Sequence, residues 1–193
     1  MKIMYGDITS KRGINQSNIK ARLGNEIKVY AENNHFKAAD VQQIIHLVDM
    51  DGAFVDDSVI IEDETKDKFL YTLESVIVPN RQVAIERNEH KRENLNTLSS
   101  RTSVMWNNIP YKIYYMSCNL DHVLHDKPNA TDEEKKANSL DFTERYYDDI
   151  NAFIKFISES TFSQCTGYKE SWDYIKQDNH SLERNSNLGL CFI

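Results

Sequence analysis

Cysteine pairs, clustered glycines, long apolar runs and excess positive charge are all missing from this chain, and each absence removes a class of function. Its three cysteines, Cys118, Cys165 and Cys191, are odd in number, far apart and in no CxxC pair. Neither a disulfide framework nor a zinc site is expected, and a reducing compartment fits. The six glycines are scattered, so a P-loop or a dinucleotide-binding loop is excluded. No GxSxG elbow occurs, and no cysteine stands with a histidine and a carboxylate in a nucleophile signature, which leaves covalent hydrolase chemistry without support. No apolar run approaches the roughly 18 residues that cross a bilayer, and residues 1–12 lack the apolar core of a leader. The expectation is a cytoplasmic protein with no membrane partner. A formal net charge of −7 argues against broad attraction to nucleic acid, so any such contact must be local.

What is present is ordinary globular material: 193 residues, 40% hydrophobic and 27% charged, enough for one well-filled core. A single α/β domain over residues 1–193 is expected, with a largely parallel central sheet flanked by helices and a mainly helical part at 131–193. Residues 2–5 and 27–31 favour strands, and 18–23 form a weak helical turn ended by Gly24. A short helix is expected at 38–43. The clearest strand is 44–48, Ile-Ile-His-Leu-Val, apolar enough to be covered on both faces, with His46 as a core histidine. It stops at Asp49-Met50-Asp51-Gly52, where Gly52 permits a sharp turn.

An acidic loop at 56–67 surrounds a short strand at 59–61, and a further strand is expected within 73–78. A polar helix is expected over 81–98, with Arg87 and Lys91 four residues apart on a partly basic outer face next to Arg92. An aromatic strand at 111–116 runs into Ser117 and the polar stretch 118–125. Thr131 and Glu134 have the spacing of a capping box, which starts a helix. Leu140, Tyr147, Ile150, Ile154 and Ile157 then form one apolar stripe over one or two helices. A last helix at 169–176 is anchored by Trp172 and Tyr168.

Three groups of residues have the chemistry for a site. Asp49 and Asp51, one residue apart at a strand end, present hard oxygen ligands suited to magnesium or manganese, and ligands of open α/β sheets gather beyond strand carboxyl ends. The same DxDG is also a common turn for purely local reasons. Asp121, His122 and His125 place acid-base groups on one helical turn, or alternatively serve a helix end structurally. Arg87, Lys91 and Arg92 suit a phosphate backbone, although Glu86, Glu89 and Glu93 dilute them towards an ordinary solvated face.

The segments 44–52 and 116–125 resemble the Toprim-like group that includes RloB-like and OLD-family proteins, over roughly residues 40 to 126. In that group a strand ending in Asp-x-Asp is followed, after a helix and a strand, by a polar turn into a short helix with an acidic residue. The resemblance implies metal-dependent phosphoryl transfer, plausibly by a nuclease of phage defence or mobile-element biology. Asp49 and Asp51 would then hold magnesium or manganese, Asp121 would support them, and Arg87 or Lys91 would steady a nucleic-acid backbone. The group also wants a glutamate after its first strand, for which Asp7 and Glu32 are the two candidates here. A catalytically silent module acting through a protein partner is the alternative, and an acidic mimic of nucleic acid is a third reading.

Overall fold

The computed structural model describes residues 7–163 and 165–192, so the strand expected at 2–5 lies outside the described residues. Among them are six α-helices and two small sheets, a mixed α/β arrangement. The helices are α1 (Ile19–Asn33), α2 (Arg81–Ser99), α3 (Leu120–His125), α4 (Asp132–Tyr146), α5 (Ile150–Glu159) and α6 (Tyr168–Ile175). The strands are β1 (Ile44–Asp49), β2 (Ile60–Glu62), β3 (Leu70–Tyr71), β4 (Val76–Val78) and β5 (Tyr111–Met116). The chain groups into two compact units: the described residues through Leu47 with Glu86–Tyr114, and Val48–Ile85 with Tyr115 onward.

In the first unit, α1 is one continuous helix where a broken turn and a strand were expected. Ile19, Leu23 and Ala31 are buried along its length at multiples of four, so a helical face outweighs the local strand preference of residues 27–31. Gly24 does not end the helix. A Cβ there would lie 2.7 Å from the carbonyl oxygen of Val104, and glycine is what lets the two backbones approach.

The α2 helix starts at the expected residue and runs one residue past its expected end, but its inner face is polar. Asn88, Lys91 and Asn94 are buried beside Leu95 and Leu98. Asn94 donates to the carbonyls of Thr9 (2.8 Å) and Ile14 (3.3 Å), tying residues 9–14 to the helix.

The two-stranded sheet pairs β1 with β5. Ile44 N–H donates to the Pro110 carbonyl at 2.9 Å, and further along Met50 N–H donates to the Met116 carbonyl at 2.8 Å. Both chains therefore advance in the same direction, the sense of a parallel pair. The expectation that β1 is covered on both faces needs correcting: Ile45 and Leu47 are each 48% exposed, whereas Val48 is buried. The alternation is that of a half-covered strand.

In the second unit β4 lies between β2, parallel to it, and β3, antiparallel. Val55, Ile60, Tyr71, Val76, Val78, Cys118 and Leu182 fill the core around these strands. The remaining edge of β5 is closed by the C-terminal segment: Ser117 N–H donates to the Asn185 carbonyl (2.9 Å), Tyr115 N–H to Asn187 Oδ1 (2.8 Å), and Met116 bridges Ser186. A strand edge that would otherwise offer free amides is thus paired.

The capping box forms as its spacing implies, with Thr131 Oγ1 accepting from Glu134 N–H and a Glu134 carboxylate oxygen accepting from Thr131 N–H. The apolar stripe expected beyond it does not form. Leu140, Tyr147 and Ile150 are 66%, 81% and 62% exposed, and of the five positions Ile157 alone is buried. The chain leaves the helix after Tyr146 and restarts at an Asp149 cap, which resets the helical phase. The two helices meet instead through the rings of Phe142, Tyr146, Phe153 and Phe156, at centroid distances of 4.8–6.3 Å.

Candidate functional site

The strand β1 delivers Asp49 to its carboxyl end, and the chain then turns through two residues in the left-handed region, Asp51 (φ 49°) and Gly52 (φ 70°). Glycine at 52 meets two demands, because a Cβ would also stand 3.1 Å from Val76 Cγ2. Asp51 N–H donates to the carbonyl of Cys118 at 2.8 Å, and Cys118 is itself left-handed at φ 47°. Two side-chain-bearing residues in this region of backbone space face each other just past the paired strands. The Cys118 thiol is buried, donates to the carbonyls of Ser181 (3.6 Å) and Leu182 (3.7 Å), and is pushed up to about 12. Burial is the main cause, and the negative charges of Asp51 and Asp49 add to it. Held protonated at neutral pH, this thiol is a poor nucleophile.

Past Cys118 the polar turn enters α3. Asn119 caps it, accepting from His122 N–H at 3.0 Å, and its amide donates to the Pro128 carbonyl at 2.7 Å. Asp121 follows in the first turn, and its Oδ1 accepts from Asn138 Nδ2 of α4 at 2.8 Å. The loop beyond α3 is pinned by Asn129, which accepts from Tyr71 N–H and donates to the Tyr71 carbonyl, both at 2.8 Å. These elements enclose a cleft of about 320 Å³ lined by Asp49, Asp51 and Asp121, with Lys68 and Lys135 among its other walls.

The two histidines of this turn are not presented together. His122 is buried, its pKa is lowered chiefly by that burial, and its Nδ1 has no partner. His125 rests edge-on against Phe142 at 5.9 Å.

The remaining sequence-derived site residues belong to the first unit. Lys91 is 0% exposed and pairs at 2.5 Å with Asp7, so the expected basic outer face of α2 loses its central member. Arg87 is turned along its own helix onto Asn88 Oδ1, at 3.1 and 2.6 Å. Arg92 is half-buried. Asp7 also accepts from the backbone and hydroxyl of Thr9 and from the Ser10 hydroxyl. Burial alone would raise its pKa, but the charge and hydrogen bond of Lys91, together with Thr9, hold it below the usual aspartate value. Glu32 stands on the solvated side of α1, 3.7 Å from Lys28. His46 shares a 2.8 Å hydrogen bond with the Tyr111 hydroxyl, and burial takes its pKa down to about 4 against a smaller raising effect from Asp7.

Sequence reasoning missed Lys68, Lys135 and Asn138. A signal for the last two existed: once the Thr131 cap fixes the start of α4, residues 135 and 138 fall on one helical face. Among the described residues no group of three His, Cys, Asp or Glu side chains is gathered closely enough to hold a metal ion. The donor chemistry still fits magnesium or manganese, since Mg²⁺ is commonly held by one or two carboxylates and keeps several waters. Comparison with protein-family models, with curated proteins and with solved structures gives no match to this chain.

Proposed function

We propose that this chain is a Toprim-like, magnesium- or manganese-dependent phosphoryl-transfer protein that acts as a nuclease. The observation that supports the reading is the lining of one cleft by Asp49, Asp51 and Asp121 together with the cations Lys68 and Lys135. Carboxylates matched to a hard cation, beside ammonium groups matched to phosphate oxygens, are the combination that phosphodiester chemistry needs.

In this reading Asp49 and Asp51 would hold the ion, with Asp121 as a supporting carboxylate in the wall of the same cleft. A divalent ion so held supplies charge neutralisation at the phosphodiester and activation of water. Lys68 and Lys135 take the substrate's outer phosphate oxygens as point charges, a task that the buried Lys91 cannot perform at a surface. Neither Asp7 nor Glu32 carries a proton in this scheme. Asp7 is held ionised by Lys91 and accepts protons poorly near neutrality, and Glu32 is a solvated helix residue. A place in phage defence or mobile-element biology follows from the resemblance alone.

A second reading, a catalytically silent module that binds a protein partner, is favoured by the exposure of Leu140, Tyr147 and Ile150. One experiment separates the two. Thermal unfolding of the native chain and of the Asp49→Ala, Asp51→Ala double variant is followed with and without millimolar manganese, and cleavage of labelled single- and double-stranded nucleic acid is assayed alongside. A metal-dependent rise in midpoint and cleavage, both lost in the variant, uphold the enzyme. No rise and no cleavage in either protein sink it and leave the binding module.

A further inference from the structure

The helix α4 runs for 15 residues and buries Asn138 alone. Successive residues turn by about 100° around a helix, so Leu140 and Tyr147 stand within about 20° of the point directly opposite Asn138. They are 66% and 81% exposed. The largest apolar side chains on this stretch of helix therefore point away from the chain's own core, the reverse of an ordinary surface helix. The residues around Leu140 are ordered as a two-fold: Lys136 lies four before it and Glu144 four after, and the small residues Ala137 and Thr143 lie three before and three after. All four are exposed.

An antiparallel contact with a second copy, its two-fold axis at Leu140, sets Leu140 against Leu140 and brings Lys136 of each copy level with Glu144 of the other. Ala137 and Thr143 leave room for the two helices to approach, and each Tyr147 ring covers the first turns of the opposite helix. A parallel contact would set Lys136 on Lys136 and Glu144 on Glu144, so the charges select the antiparallel one. Order of this kind is what an isologous interface requires, in which each residue meets its two-fold counterpart. We propose that the outward face of α4 is the interface of a symmetric homodimer, in which two copies of this chain pack α4 against α4 antiparallel about Leu140. The proposal is independent of the chemistry of the cleft: Lys135, the α4 residue that lines it, lies only about 60° from Asn138 around the helix and stays clear of this face. It gives Leu140 and Tyr147 an occupant, another copy of this chain rather than a different protein. A helix of this length, about 22 Å, makes a small contact, of the weak class that buries less than about 1,200 Å² in total. The dimer accordingly forms in the micromolar range.

Sedimentation equilibrium of the full chain, loaded from about 1 to 500 µM, tests this. The native chain is expected to pass from monomer to dimer within that span. Lys136→Glu or Glu144→Lys turns two attractions into two repulsions by symmetry, and each is expected to weaken association about 10-fold or more. An equimolar mixture of these two variants restores opposite charges at both contacts, so they are expected to associate with each other about as tightly as native copies do. Leu140→Ser, which leaves every charge in place, also dissociates the dimer, and it decides the matter if a charge variant fails to fold, as judged by its unfolding midpoint at low concentration. A native chain that stays monomeric throughout overturns the proposal. So does a dimer that Leu140→Ser and both charge variants leave unchanged, or one that the mixture of charge variants does not regain.

Discussion

Lys91, with no exposed side-chain surface, donates to Asp7, whose side chain is 28% exposed, across 84 residues of sequence. A helix charge that reads as solvated is thus an internal clasp between α2 and residues 7–14. Breaking such a pair leaves a buried charge without its counterpart. Because Asp7 keeps some contact with water, the loss belongs at the lower end of the usual range. Asp7→Ala is expected to cost about 3 kcal/mol of folding free energy, read from urea denaturation. Lys91→Met, which keeps the apolar stem and removes the buried charge, is expected to cost clearly less. Equal losses in the two variants would show that stem packing and not the ion pair holds the segment.

The acid limb of stability has two separable windows. His46 has its pKa lowered from 6.5 to about 4, so between those values the unfolded chain binds a proton that the folded chain refuses. Stability therefore falls as pH drops through this interval, by up to about 3 kcal/mol from this one group. His122 and His125, also lowered, act in the same sense. Asp7, lowered from 3.8, contributes stability above that value, and this part is lost only as pH falls further. Denaturation midpoints measured between pH 7 and pH 4 should show a shallower fall in His46→Gln, which retains an acceptor for the Tyr111 hydroxyl. An unchanged slope would rule His46 out as its source.

Gly24→Ala reverses a familiar rule. In an exposed helix interior the change stabilises by about 1 kcal/mol, but here the new methyl would stand 2.7 Å from the Val104 carbonyl oxygen, which is backbone and cannot swing aside. Overpacking of this kind typically costs about 1–3 kcal/mol, so the net effect is destabilising. A thermal midpoint at or above native would mean that α1 and the Val104 backbone separate readily.

Elements whose signals are local were legible. Residues 111–116 are dense in β-favouring aromatics and became β5, and Thr131 with Glu134 marked the start of α4 to the residue. The misses share a physical cause: contacts distant in sequence decided them. Gly24 ends a helix when read locally, and only the approach of Val104 shows why the helix passes through it. The stripe from Leu140 to Ile157 required one unbroken helix, and the break before Asp149 displaced it. At the candidate site the acidic turn was readable because strand, carboxylates and glycine are contiguous. Lys68 reaches the same cleft from another loop, and although helical spacing groups residue 138 with Lys135, the bond from Asn138 to Asp121 joins two helices and had no local trace.

Asp51 carries the sharpest conflict between stability and proposed function. It holds φ at 49°, a left-handed conformation that costs an L-residue about 1–2 kcal/mol, although aspartate tolerates it better than most. Glycine would remove that cost but would give the unfolded chain more freedom, which takes back about 0.5–1 kcal/mol. The difference favours Asp51→Gly by up to about 1 kcal/mol, while one of the two turn carboxylates disappears. The expected outcome is a metal-free unfolding midpoint at or slightly above native, together with loss of the manganese-induced rise. A strain kept at the end of a strand against a more stable alternative is what a functional carboxylate would require. If Asp51→Gly lowers the metal-free midpoint, the carboxylate serves the turn itself, and the position is structural.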